Sequence, residues 1–292
     1  MKSSLFKKYW PLIFIELILL ILLILFGIFD FEISSSFETY KNWLSVGFDV
    51  WGKKAVMVPI GVTIIFACVA LGNRARNKNI FMYSMIGLAI STNITLALFL
   101  FDYKDFSLHN KNKTEIITAI SMYIILAICI LSFILTTLLI NKLSIFKSKM
   151  YMSTLMSKVI YAIVFMLITT LIVSVLKLLV GRPRPRDVIG DGVDFKYIFQ
   201  FYFGQDRGKS FPSGHTQAAS LFLVLVYFVP ISKKENIFKI LFYIIAICSI
   251  VLTAISRVLI HAHFPTDVTF SIILSSLCFA FIPKLINFII KK

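Results

Sequence analysis

Three short blocks in the second half of the chain hold the residues whose types and spacing suit chemistry. They are Lys177-x6-Arg184-Pro185, then Pro212-Ser213-Gly214-His215, then Ser256-Arg257-x5-His263-x3-Asp267. Between them they offer cations, an anion site at a helix start, two histidines and a carboxylate. Arginine forks onto phosphate oxygens and lysine acts as a compact point charge. A histidine whose tautomer is fixed by a carboxylate presents its other nitrogen as a nucleophile. The chemistry these groups serve together is phosphoryl transfer.

Each block needs an element to position it. Lys177 ends an apolar helix, and the prolines of Gly181-Arg182-Pro183-Arg184-Pro185-Arg186 stop that helix and give an extended exit that holds the arginines at the membrane surface. Ser213 is a candidate N-cap and Gly214 lets backbone approach a ligand. The helix that follows turns its unpaired N–H groups and positive dipole end toward an anion beside His215. His263 and Asp267 stand i,i+4, a spacing that brings side chains together on a helix. Arg257, at the edge of an apolar run, is costly enough to suggest use. His261, two residues before His263, could be drawn with it and Asp267 as a metal site, but the surrounding cations favour an anion and no metal ligand set is assigned. Arg182, Arg186 and His261 are possible accessory residues.

These blocks sit in a chain of 292 residues that is 59% hydrophobic and only 15% charged. Its mean hydropathy is +0.89. An ordinary soluble domain is about a quarter charged, so one large soluble domain is excluded and an all-α polytopic membrane protein is expected. Eight apolar segments can be drawn, at about 11–29, 55–72, 80–101, 116–140, 159–180, 217–231, 237–256 and 267–290. The sixth is the shortest. Residues 30–54 mix aromatic and polar side chains and read as an amphipathic stretch in the interface. The organisation expected is a membrane region over 1–150 with about four spans, and a catalytic core over 151–292 with about four more. The first run is too long for a cleaved secretory signal and lacks a cleavage site, so it reads as a span. Glu16 and Asn93 fall within spans as hydrogen-bond links between helices, and His109 has no partner in sequence.

The net charge of +16 is no sign of nucleic-acid binding, because no basic tail or aromatic-interleaved basic domain accompanies it. With the N-terminus inside, the inner segments hold 16 basic residues and one acid, Glu235. The outer side holds 14 basic residues, concentrated over 177–216. Lys and Arg are retained on the cytoplasmic side, so both termini are expected there. All three blocks then fall on the outer face. The four cysteines, Cys68, Cys129, Cys248 and Cys278, lie inside apolar runs and read as small buried hydrophobes.

The pattern K-x6-RP, PSGH, SR-x5-H-x3-D resembles the type 2 phosphatidic acid phosphatase (PAP2) superfamily at every motif position, over roughly 155–290. That resemblance implies His263 as nucleophile, Asp267 as its orienting carboxylate and His215 as general acid and base. It also implies phosphate binding by Lys177, Arg184, Ser213, Gly214 and Arg257. It implies no cofactor and no metal, a lipid phosphate substrate held among membrane lipids, and no obligate protein partner. The substrates it suggests are polyprenyl diphosphate, phosphatidate, phosphatidylglycerophosphate or lipid A phosphate. A phosphotransferase using the same phosphohistidine, or a non-enzymatic lipid-phosphate binder or translocator, are the alternatives. Small members of the family have six spans, two of them before the first motif. Here four are counted before it, making eight with six as the alternative.

Overall fold

The computed structural model describes residues 2–39, 43–72, 149–201, 208–229 and 235–290, with isolated helical positions at 83, 87, 90, 120, 124 and 127. The expected segments 80–101 and 116–140 lie outside the described residues, as do His109, Cys129 and Asn93. Every regular element among the described residues is helical. In chain order these are α1 (Lys2–Ser35), α2 (Trp43–Lys54), α3 (Met57–Gly72), α4 (Lys149–Val180), α5 (Pro185–Gly190) and α6 (Gly214–Ser220). A 3-10 turn (Leu221–Leu223), α7 (Val224–Tyr227), α8 (Glu235–Leu259) and α9 (Pro265–Ile290) complete the order.

Among the described residues four helical stretches are long and apolar enough to cross a membrane, over Trp10–Ser35, Met152–Gly190, Asn236–Leu259 and Pro265–Ile290. Met57–Gly72 is apolar but shorter. Their outward faces are rich in exposed Leu, Ile and Phe, such as Ile24, Leu167, Ile240 and Leu285. Such faces suit hydrocarbon, because a helix satisfies its own backbone there.

The sixth expected span behaves differently. From Gly214 to Tyr227 the chain passes from α-helix through a 3-10 turn back to α-helix, and nearly every side chain from Thr216 to Val226 is buried. It forms the axis of the bundle, with α2, α4, α8 and α9 packed around α6. Its polar groups are satisfied from within the protein. Gln217 Nε2 donates to Thr169 Oγ1 at 3.1 Å and to Thr170 Oγ1 at 3.2 Å, both on α4. At the end of this axis, Tyr227 Oη donates to the Phe279 carbonyl at 2.7 Å. That carbonyl lies four residues before Pro283, inside α9, which has no N–H to offer it. The tyrosine hydroxyl therefore satisfies a backbone acceptor that the proline leaves open.

The N-terminal region departs from expectation in two places. Helix α1 continues past residue 29 to Ser35, so Asp30 is helical and turned into the protein. It packs chiefly on α9, where Ser276 Oγ donates to Glu16 Oε1. The stretch expected to lie in the interface instead contains α2, which packs against α6 and α8. Trp51 Nε1 donates to Ser249 Oγ at 2.8 Å, and Ser256 Oγ donates to the Ser45 carbonyl at 2.7 Å. Local amphipathicity shows that one face is apolar; it does not show whether lipid or another helix covers that face. Cys68, Cys248 and Cys278 are free thiols.

Candidate active site

The three blocks converge where α4 ends and α6 and α9 begin. Helix α4 stops at Val180, and Gly181 takes the left-handed φ of 63° that turns the chain. The extended exit runs only to Arg184, because Pro185 starts α5, a helix position that proline suits. Gly208 pairs back, its N–H donating to the Gly181 carbonyl at 3.1 Å, and Ser210 N donates to the Arg182 carbonyl at 3.0 Å. This pairing carries the chain beneath His263.

His263 lies in the loop before α9 and is almost fully buried. Its Nδ1 is 2.6 Å from the Ser210 carbonyl and 3.7 Å from Asp267 Oδ2. Only an N–H can meet a carbonyl at that distance, so the proton sits on Nδ1 and Nε2 carries the lone pair. Burial pushes the imidazole down to about 3, and the nearby Asp267 carboxylate only partly offsets this. His263 is therefore neutral at ordinary pH. The i,i+4 spacing brought the pair close, but not as two residues of one helix. Asp267 is in the first turn of α9, and its Oδ2 accepts from Phe264 N at 2.9 Å and from Ser210 Oγ at 2.5 Å.

Asp267 is also bound by Arg182, whose Nη1 donates to Oδ1 at 2.7 Å. The prolines were expected to hold the arginines at the membrane surface. Arg182 instead has no exposure at all. Its Nη2 donates to Asp30 Oδ2 at 2.8 Å, its Nε to the Lys196 carbonyl at 2.8 Å, and its Nη1 also to Thr266 Oγ1 at 2.8 Å. The guanidinium lies 4.2 Å from the Phe264 ring centroid. With two carboxylates, a carbonyl and a hydroxyl as partners, it anchors the site and has no arm left for substrate. Arg186 points the other way, its side chain 56% exposed beside Asp187. Arg184 is half-buried, and its N–H donates to Asp187 Oδ2 at 3.1 Å.

Ser213 is the N-cap of α6, its Oγ accepting from Thr216 N at 3.4 Å and from Thr216 Oγ1 at 2.9 Å. Ser213 N donates to the Asp267 carbonyl at 3.1 Å, which ties the second block to the third. Lys177 reaches the same helix start. A methyl added at Gly214 would stand 3.2 Å from Lys177 Nζ. The ammonium and the Gly214 backbone thus face one space.

Arg257, near the end of α8, is buried and its Nη1 meets Asp49 Oδ1 of α2. The same carboxylate oxygen is 3.6 Å from His215 Nε2. Gly52, on α2, gives the imidazole room, since a methyl there would come within 3.0 Å of His215 Cδ2. His261 turns away from this centre. It adopts φ 51°, its Nδ1 is 3.2 Å from Thr39 Oγ1, and its ring lies 5.0 Å from that of Phe37. It lines a cavity of about 400 Å³ with residues 35–39, Arg186, Ile189 and Gly190. Among the described residues no three His, Cys, Asp or Glu side chains converge as metal ligands.

Asp30, Asp49 and the Ser210 carbonyl did not stand out in the sequence. The first two lie outside every motif, and a carbonyl has no sequence signature. The one available hint was an acid inside or beside an apolar run, which is costly unless paired.

Residues 158–291 match the family model of the PAP2 superfamily. No curated protein matches the chain, and no solved structure does.

Proposed function

With residues 158–291 carrying the PAP2 superfamily match, a family of phosphatases, we propose that this membrane protein hydrolyses a lipid-linked phosphate through a phosphohistidine on His263. The observation that carries this reading is the state of His263. It is buried and neutral, its Nδ1 proton is held by the Ser210 carbonyl, and Nε2 is left with the lone pair.

In the first step Nε2 attacks phosphorus, the N–P bond forms and the bond to the leaving oxygen breaks. His215 gives that oxygen its proton. The phosphorylated imidazole becomes cationic, and Asp267, 3.7 Å from Nδ1, favours that charge. In the second step His215 takes a proton from water, whose oxygen bonds phosphorus as the N–P bond breaks. Nε2 regains its lone pair and phosphate leaves. Lys177, Arg184, Arg257 and the Gly214 amide hold the equatorial oxygens throughout, and such electrostatic positioning is the main source of rate in phosphoryl transfer.

A site at helix ends suits a phosphate at the interface with its tail along the exposed apolar helix faces. The charge distribution of the loops supports a site on the outer face of the cell membrane, with both termini in the cytoplasm. Phosphatidate, phosphatidylglycerophosphate, lipid A phosphate and polyprenyl diphosphate all fit this description.

The test is phosphate release by detergent-purified protein in EDTA across these lipids, with acid-sensitive 32P labelling of the protein. Wild type is expected to turn over at least one lipid and to trap label, and His263→Ala to do neither. Turnover surviving His263→Ala would remove the phosphohistidine mechanism. Label transferred to a second lipid in place of water would make the protein a phosphotransferase.

A further inference from the structure

Both catalytic histidines are backed by an acid and an arginine, and in each case an acid comes from the N-terminal region outside the family match. On one side the chain of contacts runs from His263 to Asp267, from Asp267 to Arg182 at 2.7 Å, and from Arg182 to Asp30 at 2.8 Å. Asp30 also accepts from Thr266 N at 3.0 Å and from Thr266 Oγ1, at the first turn of α9. On the other side Asp49 stands 3.6 Å from His215 and pairs with Arg257.

We propose that Asp30 and Asp49 are positioning residues of the reaction, one for each histidine, so that the N-terminal helices are a working part of the active site. The inference rests on the phosphohistidine reading above.

The physical case differs for the two. Arg182 is wholly buried, and without Asp30 its Nη2 would lose its partner in a low-dielectric interior, where orphaned groups are costly. Asp30 completes its coordination and pins the N–H of Thr266, so the Asp267 carboxylate is fixed relative to His263. Asp30 acts through geometry and stands away from the proton transfers. Asp49 acts on charge. The elements packed around α6 carry Asp49 on α2, Arg257 on α8, Lys177 on α4 and Asp267 on α9, with His263 in the loop before it. Asp49 Oδ1 lies 3.6 Å from His215 Nε2. It favours the imidazolium needed to protonate the leaving group, and it holds Arg257 at the same time.

The experiment measures kcat and KM from pH 5 to 9 for wild type, Asp30→Asn, Asp49→Asn and His263→Ala, on the lipid phosphate that wild type turns over. Asp49→Asn is expected to lower kcat on the order of 10²-fold. It should also move the alkaline limb of kcat to lower pH by about one unit or more, because a negative charge beside the imidazole is gone. Asp30→Asn is expected to lower kcat roughly tenfold or more with KM and the pH profile unmoved. Should Asp30→Asn fail to fold, Thr266→Val removes the same hydroxyl link and is expected to lower kcat in the same way. Gly52→Ala provides the second test at His215. It crowds the imidazole with Asp49 intact, and kcat should fall.

Aspartate variants that fold and keep kcat within about twofold of wild type would overturn the inference while leaving the reaction standing. So would an Asp49→Asn profile that shrinks without shifting, which marks a merely structural part. Wild type no faster than His263→Ala would overturn the reaction itself, and the inference with it.

Discussion

Arg182 and Asp267 form an ion pair of 2.7 Å in which neither side chain is exposed. Arg182 lies within the first block and Asp267 closes the third, so this one contact joins the end of α4 to the start of α9. A second carboxylate, Asp30, meets the same guanidinium from α1. The ends of three helices therefore meet at a single cation behind His263.

Arg182→Leu removes that cation and leaves two carboxylates in a buried site. Breaking a buried pair from one side costs about 3–5 kcal/mol. The variant is expected to denature at markedly lower SDS fraction than wild type and to be inactive. An unchanged SDS midpoint would mean that the pair contributes nothing to the fold.

Stability should also depend on pH through His263. Its folded value is depressed to about 3 by burial, while an unfolded histidine titrates near 6.5. Between those values the unfolded chain binds a proton that the folded protein refuses. The stabilisation is present above pH 6.5 and is lost as pH falls toward 3, at about 1.4 kcal/mol per unit. Unfolding measured at pH 7 and 5 is expected to show this slope, and His263→Asn should flatten it.

Ser210→Ala deletes the hydroxyl that donates to Asp267 but keeps the carbonyl that holds His263. Leaving one carboxylate oxygen with the Phe264 N–H alone costs about 1–3 kcal/mol. A fall in kcat of about tenfold with KM little changed is expected from steady-state kinetics. An equal loss in both parameters would point to substrate contact instead.

Gly214→Ala puts a methyl 3.2 Å from Lys177 Nζ, closer than the ammonium can accept without moving. Small misplacements of a charge-holding group cost up to about 10²-fold in rate. The variant is expected to lose kcat/KM by at least about tenfold, and a competitive phosphate anion should inhibit it less strongly than wild type. Wild-type inhibition would show that Lys177 and the Gly214 backbone do not share the bound phosphate.

The motif residues could be read without coordinates because their chemistry is intrinsic to their side chains. Lys, Arg, His and Asp each bring a fixed capacity to bind or exchange protons, and their spacing relative to apolar runs set them at helix ends. Apolar run length likewise announced the long helices, although α1 (Lys2–Ser35) and α4 (Lys149–Val180) extend beyond the runs. Glu16 was legible as a link between helices, and Ser276 is its partner.

Motif spacing and composition thus carried the class of reaction the side chains suit and the helical, apolar character of the chain. The tertiary structure decided which of those side chains face one another. Nothing local distinguishes Arg182, wholly buried, from Arg186, exposed, four residues along the same proline-rich stretch. Asp30 and Asp49 meet arginines 152 and 208 positions away, and the Ser210 carbonyl meets a histidine 53 positions on. Such contacts depend on the packing of whole helices, which fixes burial and hence the cost of leaving any charge alone. Periodicity and composition describe a residue's own neighbourhood along the chain, and the partner of a buried charge lies outside it.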